Sequence, residues 1–142
     1  MKIFADENIP SMTVKDLCSK ASAFKDLSGD EICTAAVCVY PPFVSLAKDQ
    51  LIDTEIKVAS VAGAFPSGQS PIHVKLEEVK YVVDQGADDV DMVISRGKFL
   101  EGEYSAVYDE IAAIKALCSD VHLKVILETG ELGSLTNVKK AS

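Results

Sequence analysis

The sequence lacks the features that mark membrane, secreted and metal-binding proteins. It has no apolar run long enough to span a bilayer, and its amino terminus, MKIFADENIP, has no apolar segment of the kind found in secretory signals. The four cysteines are dispersed without a CxxC pair, and the two histidines, His73 and His122, lie far apart. We therefore predict a reduced, cytoplasmic protein with no metal site and no membrane partner.

Basic residues are scarce as well. Lys and Arg number 14 against 22 Asp and Glu, which gives a formal net charge of −8. Non-specific nucleic-acid binding depends on neutralising phosphates with Lys and Arg, so this balance argues against a nucleic-acid partner. No internal repeat or low-complexity linker divides the 142 residues, and this length predicts a single domain over residues 1–142.

Apolar strands and amphipathic helices alternate along the chain. Four short apolar runs predict strands at residues 35–40, 56–63, 90–95 and 123–129. The segments between them place apolar residues three and four apart, as helices do. This alternation indicates a parallel sheet covered by helices, and both a doubly wound sheet and a barrel fit it.

Two of these strands carry charged residues among apolar ones. Asp91 lies in the third strand, and Lys124 and Glu128 lie in the fourth. Because strand side chains alternate between two faces, Asp91 shares a face with Ser95, and Lys124 shares one with Glu128. Helices need apolar residues beneath them, so the charged face should point away from the helices. The residue types leave two interpretations open, a structural ion pair and a functional site.

Five segments resemble the deoxyribose-phosphate aldolase family, and most closely its animal form. They are TAAVCVYPPFV at residues 34–44, VASVAGAFPSGQ at 58–69, GADDVDMVI at 86–94, YDEIAAIKALC at 108–118 and LKVILETGEL at 123–132. The resemblance implies a class I aldolase that needs no metal or other cofactor. Its reaction would be the reversible cleavage of 2-deoxy-D-ribose 5-phosphate to acetaldehyde and D-glyceraldehyde 3-phosphate. The partner implied is a small phosphorylated sugar, and a homo-oligomer is expected as well.

The fold class that the resemblance implies is α/β, a partial TIM (β/α)₈ barrel. A complete barrel of this kind usually takes about 250 residues, and this sequence has 142. The four predicted strands would be the second to fifth of the family's eight, with covering helices. The segment MKIFADENIPS has no clear match to the family's first strand, so we expect unpaired edges on both outer strands, which favour association with another chain.

The resemblance also assigns roles to individual residues. Asp91 matches the family's catalytic aspartate, which helps to shuttle protons around an imine intermediate. Lys124 and Cys38 match residues that line the site, and Glu128 is expected to line it with them. For Cys38 the alternative is a small buried apolar residue.

The family's nucleophile has no counterpart in this sequence. The resemblance places the Schiff-base lysine in a Lys-Thr-Ser-Thr-Gly-Lys stretch, which is absent here. A catalytically inactive half-barrel that self-associates is therefore the alternative to an active aldolase.

Overall fold

Strands and helices alternate in the computed structural model, which describes residues 2–4, 11–25, 28–29 and 31–142. The strands are β1 (Lys2–Phe4), β2 (Phe24–Lys25), β3 (Glu31–Ile32), β4 (Ala36–Val39), β5 (Lys57–Ala62), β6 (Asp89–Val93) and β7 (His122–Ile126). The helices are α1 (Ser11–Ala21), α2 (Val44–Gln50), α3 (Ile72–Asp84), α4 (Arg96–Leu100), α5 (Tyr104–Cys118) and α6 (Leu135–Ala141). Two 3₁₀ turns cover Pro41–Phe43 and Thr129–Glu131. Within the described residues, no helix has the length and apolar character needed to cross a membrane.

The main sheet has five parallel strands in the order β1-β4-β5-β6-β7. Each step from β4 to β7 passes through one or more helices, as parallel pairing requires. The strands follow one another across the sheet in chain order, whereas a doubly wound sheet reverses its order at a switch point. This topology is that of a barrel wall, and it confirms the predicted partial (β/α)₈ barrel.

The amino-terminal segment supplies a strand that the sequence analysis did not predict. Residues of β1 pair in parallel with β4, with Ile3 opposite Val37. The expectation of an unpaired edge on residues 35–40 is therefore wrong, because β1 occupies that edge. A three-residue strand is too short to show the apolar alternation by which strands are recognised in a sequence.

The two faces of the main sheet bury different side chains. Strand residues of the helix-covered face share one core with the helices; they are Val37, Val39, Val58, Ala62, Val90 and Met92. On the opposite face, Cys38, Ala59 and Val61 form a separate cluster, against which Tyr40 and Phe65 pack. We call this second side of the sheet the inner face. The alternation of side chains along each strand explains why neighbours in sequence belong to different clusters.

Two strands end at least two residues earlier than predicted. β6 ends at Val93 and β7 ends at Ile126, two and three residues before the expected ends at 95 and 129. Beyond these points the backbone leaves the extended conformation, with φ −69° and ψ 77° at Ser95 and φ 52° and ψ 54° at Glu128. Strand parity therefore does not extend to either residue.

Candidate active site

Asp91 lies in the middle of β6, and its side chain is fully buried on the inner face. Its neighbours Val90 and Met92 pack on the helix-covered side. The predicted orientation of Asp91, away from the helices, is therefore correct. A carboxylate in this position needs partners, because an isolated buried charge is strongly unfavourable.

Lys124 supplies one partner from the neighbouring strand. The sheet register places it directly opposite Asp91, and its Nζ donates a hydrogen bond to Asp91 Oδ2. The side chain of Lys124 is 38% exposed, whereas that of Asp91 is 0% exposed. The pair thus joins a buried carboxylate to an ammonium group that water can reach.

Cys38 reaches the same carboxylate from the other side. It lies on β4, two strands from β6, with Ala59 and Val61 of β5 between them. The Sγ atom of Cys38 donates to Asp91 Oδ2 at 3.8 Å, and the cysteine is fully buried. Cys38 is therefore both buried and in contact with the candidate site, which combines the two interpretations that the sequence left open.

Glu128 occupies a different position. It follows the end of β7 in the left-handed region, and its Oε2 accepts a hydrogen bond from Nη1 of Arg96. Arg96 begins α4 immediately after β6. The structure thus brings Cys38, Asp91 and Lys124 together, and it places Glu128 in an ion pair with Arg96 at the carboxyl ends of the strands. The parity argument missed this pair because the strand ends before Glu128.

Ser95 also departs from its expected face. It was expected to share the face of Asp91, but its Oγ accepts from Lys75 Nζ at 2.8 Å and lies 2.8 Å from Glu110 Oε2. Lys75 belongs to α3 and Glu110 to α5, so Ser95 faces the helices.

A loop between β5 and α3 borders the site. Phe65 of this loop packs against the inner-face cluster that contains Cys38. At one end of the loop, the backbone N–H of Ala64 donates to Glu78 Oε2 at 2.8 Å. At the other end, Gly68 has φ +67°, and a Cβ there would lie 2.5 Å from the carbonyl oxygen of Ile94. Only glycine fits this position, because it tolerates positive φ and has no side chain to clash.

The chemistry that this geometry supports is proton transfer. A buried carboxylate is held between an ammonium group and a thiol, and its apolar surroundings at Ala59 and Val61 strengthen electrostatic interactions. General acid–base groups work from such fixed positions within hydrogen-bond reach of a substrate. In parallel-stranded barrels, catalytic side chains come from the strands and the loops at their carboxyl ends.

Comparisons with known proteins identify the family of the chain. The family model described as DeoC/LacD family aldolase matches residues 6–141. The chain belongs to this family. Within it, the deoxyribose-phosphate aldolase of Mus musculus is 48% identical over 127 residues, which cover 87% of this chain and 40% of the mouse protein. The Homo sapiens enzyme of the same name is 50% identical over 113 residues, which cover 78% of this chain and 36% of the human protein.

Solved structures of aldolases share the fold. The structure named "QR15, an Aldolase" has a TM-score of 0.80 at 26% identity, and the match covers all of this chain and 62% of QR15. The deoxyribose phosphate aldolase of Aeropyrum pernix has a TM-score of 0.71 at 24% identity, with 99% of this chain and 56% of that protein covered. The chain thus spans about 40% of the length of the mouse relative and a little over half of these structures.

Proposed function

We propose that the chain carries the proton-transfer part of a class I deoxyribose-phosphate aldolase site. The reaction is the reversible cleavage of 2-deoxy-D-ribose 5-phosphate to acetaldehyde and D-glyceraldehyde 3-phosphate, without a metal or other cofactor. The observation that carries the proposal is the bond between the buried Asp91 carboxylate and the half-exposed Lys124 ammonium group on the inner face. The similarity to the mouse and human enzymes of this name supports the choice of substrate.

In this proposal the three clustered residues have different roles. Asp91 is the catalytic residue, which exchanges protons with the substrate through water. Lys124 balances the charge of the Asp91 carboxylate and orients it. The Cys38 thiol donates a second hydrogen bond to the same oxygen, Oδ2. Glu128 lines the rim of the site through its bond to Arg96.

We assign the imine-forming role to none of the lysines in residues 1–142. A Schiff base requires an activated amine within reach of the substrate carbonyl. Lys124 is engaged with Asp91, so we do not assign it this role. We expect no aldolase turnover from residues 1–142 alone, and no lysine adduct when acetaldehyde and borohydride are added. A stoichiometric adduct on Lys124, found by mass spectrometry, would overturn this assignment.

The role of Asp91 can be tested in a chimera. Residues 34–142 would replace the matching part of the mouse enzyme, and aldehyde release from 2-deoxy-D-ribose 5-phosphate would be followed in a coupled assay. We expect Asp91→Asn to lower kcat by a factor on the order of 10²–10⁴, the usual contribution of a general acid–base group.

Asp89→Asn is the matched control for this experiment. Asp89 lies on the same strand, two residues before Asp91, and pairs with His122 at 3.4 Å. We expect kcat to change by less than about threefold in this variant, because Asp89 is placed outside the acid–base step. Equal losses in the two variants, or full turnover in Asp91→Asn, would contradict the proposal.

A second proposal is a half-barrel without catalysis that associates with itself. The observation that favours it is the outer edge of β7, which pairs with no strand among the described residues. The side chains of β7 are mostly half-buried, while all five of β6 are buried. Exposed strand edges pair readily with other chains. The Aeropyrum pernix relative is described as tetrameric, and we propose a homo-oligomer for this chain as well.

Sedimentation velocity tests this second proposal. We expect the chain to sediment as a dimer or larger species, and Ile126→Lys on β7 to shift it towards the monomer, because charges on an edge strand oppose pairing. Leu135→Lys is the control, since Leu135 is 87% exposed and lies on α6 rather than on the edge. A monomer in every variant would contradict self-association.

The cellular compartment of the protein can be proposed from its cysteines. None of the four cysteines forms a disulfide, which is typical of proteins kept in a reducing environment. We therefore propose that the protein acts in the cytoplasm.

A further inference from the structure

A buried polar cluster on the helix-covered side has no part in the proposed chemistry. The side chains of Lys75 and Glu110 are 0% and 5% exposed, and Lys75 Nζ lies 2.9 Å from Glu110 Oε2. Both also contact Ser95 Oγ, at 2.8 Å each, and the backbone N–H of Ser95 donates to Glu110 Oε1 at 3.2 Å. Three elements, α3, α5 and the end of β6, thus meet at one hydroxyl group.

The same hydroxyl group connects this cluster to the β5–α3 loop. Ser95 Oγ lies 3.2 Å from the carbonyl oxygen of Gly68. A serine hydroxyl has one proton and two acceptor positions, so Lys75 donates to the oxygen while the proton is shared between Glu110 and Gly68. The Gly68 backbone also approaches the end of β6, because a Cβ at this position would lie 2.5 Å from the Ile94 carbonyl oxygen.

The loop in turn carries Phe65 to the inner face. Phe65 packs against the cluster of Cys38, Ala59 and Val61, and Cys38 contacts Asp91. A chain of contacts therefore runs from the helix-covered side, through Ser95 and Gly68, to the cover of the candidate site.

We propose that Ser95, fixed by Lys75 and Glu110, is a positioning residue that holds the β5–α3 loop so that Phe65 covers the Cys38–Asp91 contact. The inference deepens the proposed function, since it concerns the same site, but it is tested without turnover. Loss of the Ser95 hydroxyl leaves the ion pair in place and releases the loop, which opens access to Cys38 while the helix-covered core stays closed.

Thiol labelling measures this access directly. Every variant would carry Cys33→Ser, because Cys33 is exposed and would react first. Cys38, Cys18 and Cys118 are all buried, but Cys18 and Cys118 belong to the helix-covered core. The labelling rates of the three thiols with a neutral disulfide reagent, read by mass spectrometry, therefore report separately on the inner face and the helix-covered side.

We expect Ser95→Ala to raise the labelling rate of Cys38 by about fivefold to tenfold, the opening factor that corresponds to one hydrogen bond. The rates of Cys18 and Cys118 should rise by a smaller factor than that of Cys38, because any loss of global stability acts equally on all three thiols, whereas release of the loop acts only on Cys38. Ser60→Ala is the matched control. Ser60 is also fully buried, but its hydroxyl donates to the adjacent Val61 carbonyl at 3.1 Å and does not reach the loop.

A second variant separates the cover from the residue that positions it. Phe65→Ala should raise the labelling rate of Cys38 more than those of Cys18 and Cys118, both with Ser95 and in the Ser95→Ala background. If Ser95→Ala raises all three rates equally, Ser95 acts only on stability and the proposal is overturned. The proposal also fails if Ser95→Ala leaves the labelling rate of Cys38 unchanged, even when Phe65→Ala raises it. None of these outcomes depends on aldolase activity, so they are independent of the proposed function.

Discussion

Two ion pairs on opposite faces of the sheet show how one fold treats buried charge in two ways. Lys75 and Glu110, between the helices and the sheet, have side chains 0% and 5% exposed. Asp91 and Lys124, on the inner face, have side chains 0% and 38% exposed. The first pair is sealed and satisfied within the protein, which suits a fixed support. The second pair has one end in water, and a carboxylate in such a pair can exchange protons with a ligand.

The largest expected effect is the loss of one member of the sealed pair. Glu110→Ala leaves the Lys75 ammonium buried without its carboxylate and removes an acceptor of the Ser95 N–H. We expect the free energy of unfolding to fall by about 3–5 kcal/mol, the usual loss when one partner of a buried pair is removed. Urea denaturation followed by circular dichroism measures this change.

Removing both charges sharpens the same experiment. We expect the double variant Lys75→Met/Glu110→Leu to recover most of the lost stability, because apolar side chains of similar size avoid the cost of burying charge. The exposed pair Lys80–Asp84, with side chains 65% and 57% exposed, provides a control. Lys80→Ala should cost less than about 1 kcal/mol. A double variant as unstable as Glu110→Ala would mean that the charges themselves are needed for packing.

The position of Asp91 and Lys124 could be predicted from the sequence, and the sealed pair could not. Both residues of the inner pair lie in the middle of regular strands, where alternation alone fixes the face of a side chain. Glu128 and Ser95 follow strand ends, and the point at which a strand ends depends on turn geometry and on contacts with other elements. The sequence contains little information about turn geometry or about these contacts.

Lys75 was missed for a different reason. The apolar residues of α3 that recur three and four apart in the sequence are Ile72, Leu76, Val79 and Val83, but the buried residues are Lys75, Val79 and Val82. Lys75 precedes Val79 by four residues, and Glu110 precedes Ile114 by four, so each occupies a core position of its helix. Two opposite charges at core positions of neighbouring helices are the signal that would have indicated the pair. A lysine within a helix is nevertheless usually exposed, and its partner is distant in the sequence.

A smaller effect is expected when the inner pair is broken. Lys124→Met removes the ammonium group from Asp91, but the Cys38 thiol still donates to the carboxylate, and water can enter where Lys124 was half exposed. We expect a loss of about 1.5–3 kcal/mol, the range for a hydrogen bond to a charged group. Urea denaturation under the conditions used for Glu110→Ala measures it.

Lys48 offers a matched control for Lys124. Its side chain is 39% exposed and its partner, Asp88, is 32% exposed, so this pair has a similar lysine but a more open carboxylate. Lys48→Met should cost about 1 kcal/mol or less. If Lys124→Met costs no more than Lys48→Met, the burial of Asp91 adds nothing to the pair. If Lys124→Met costs as much stability as Glu110→Ala, the inner pair is as strongly shielded from water as the Lys75–Glu110 pair.

The smallest effect concerns the thiols of the helix-covered side at alkaline pH. Burial raises the pKa of Cys18 above its ordinary value of 9.0. It also raises the pKa of Cys118, although the nearby Lys115 ammonium acts in the opposite direction. As the pH rises past about 9, these thiols ionise in the unfolded chain before they ionise in the folded protein. Unfolding then releases protons, so the free energy of unfolding falls. Below that pH both states hold the protons, and the contribution is constant.

The slope of the unfolding free energy against pH tests how well the helix-covered side excludes water. We expect the unfolding free energy of the chain to fall more steeply above about pH 9 than that of a Cys18→Ala/Cys118→Ala variant. Cys33→Ala, which removes an exposed thiol, is the control for the loss of a cysteine as such. The double variant loses some stability at neutral pH through the cavities that it creates, so the slopes are compared and not the absolute values. Identical slopes would show that water reaches both thiols in the folded state, and the sealed side would then differ less from the inner face than the two ion pairs indicate.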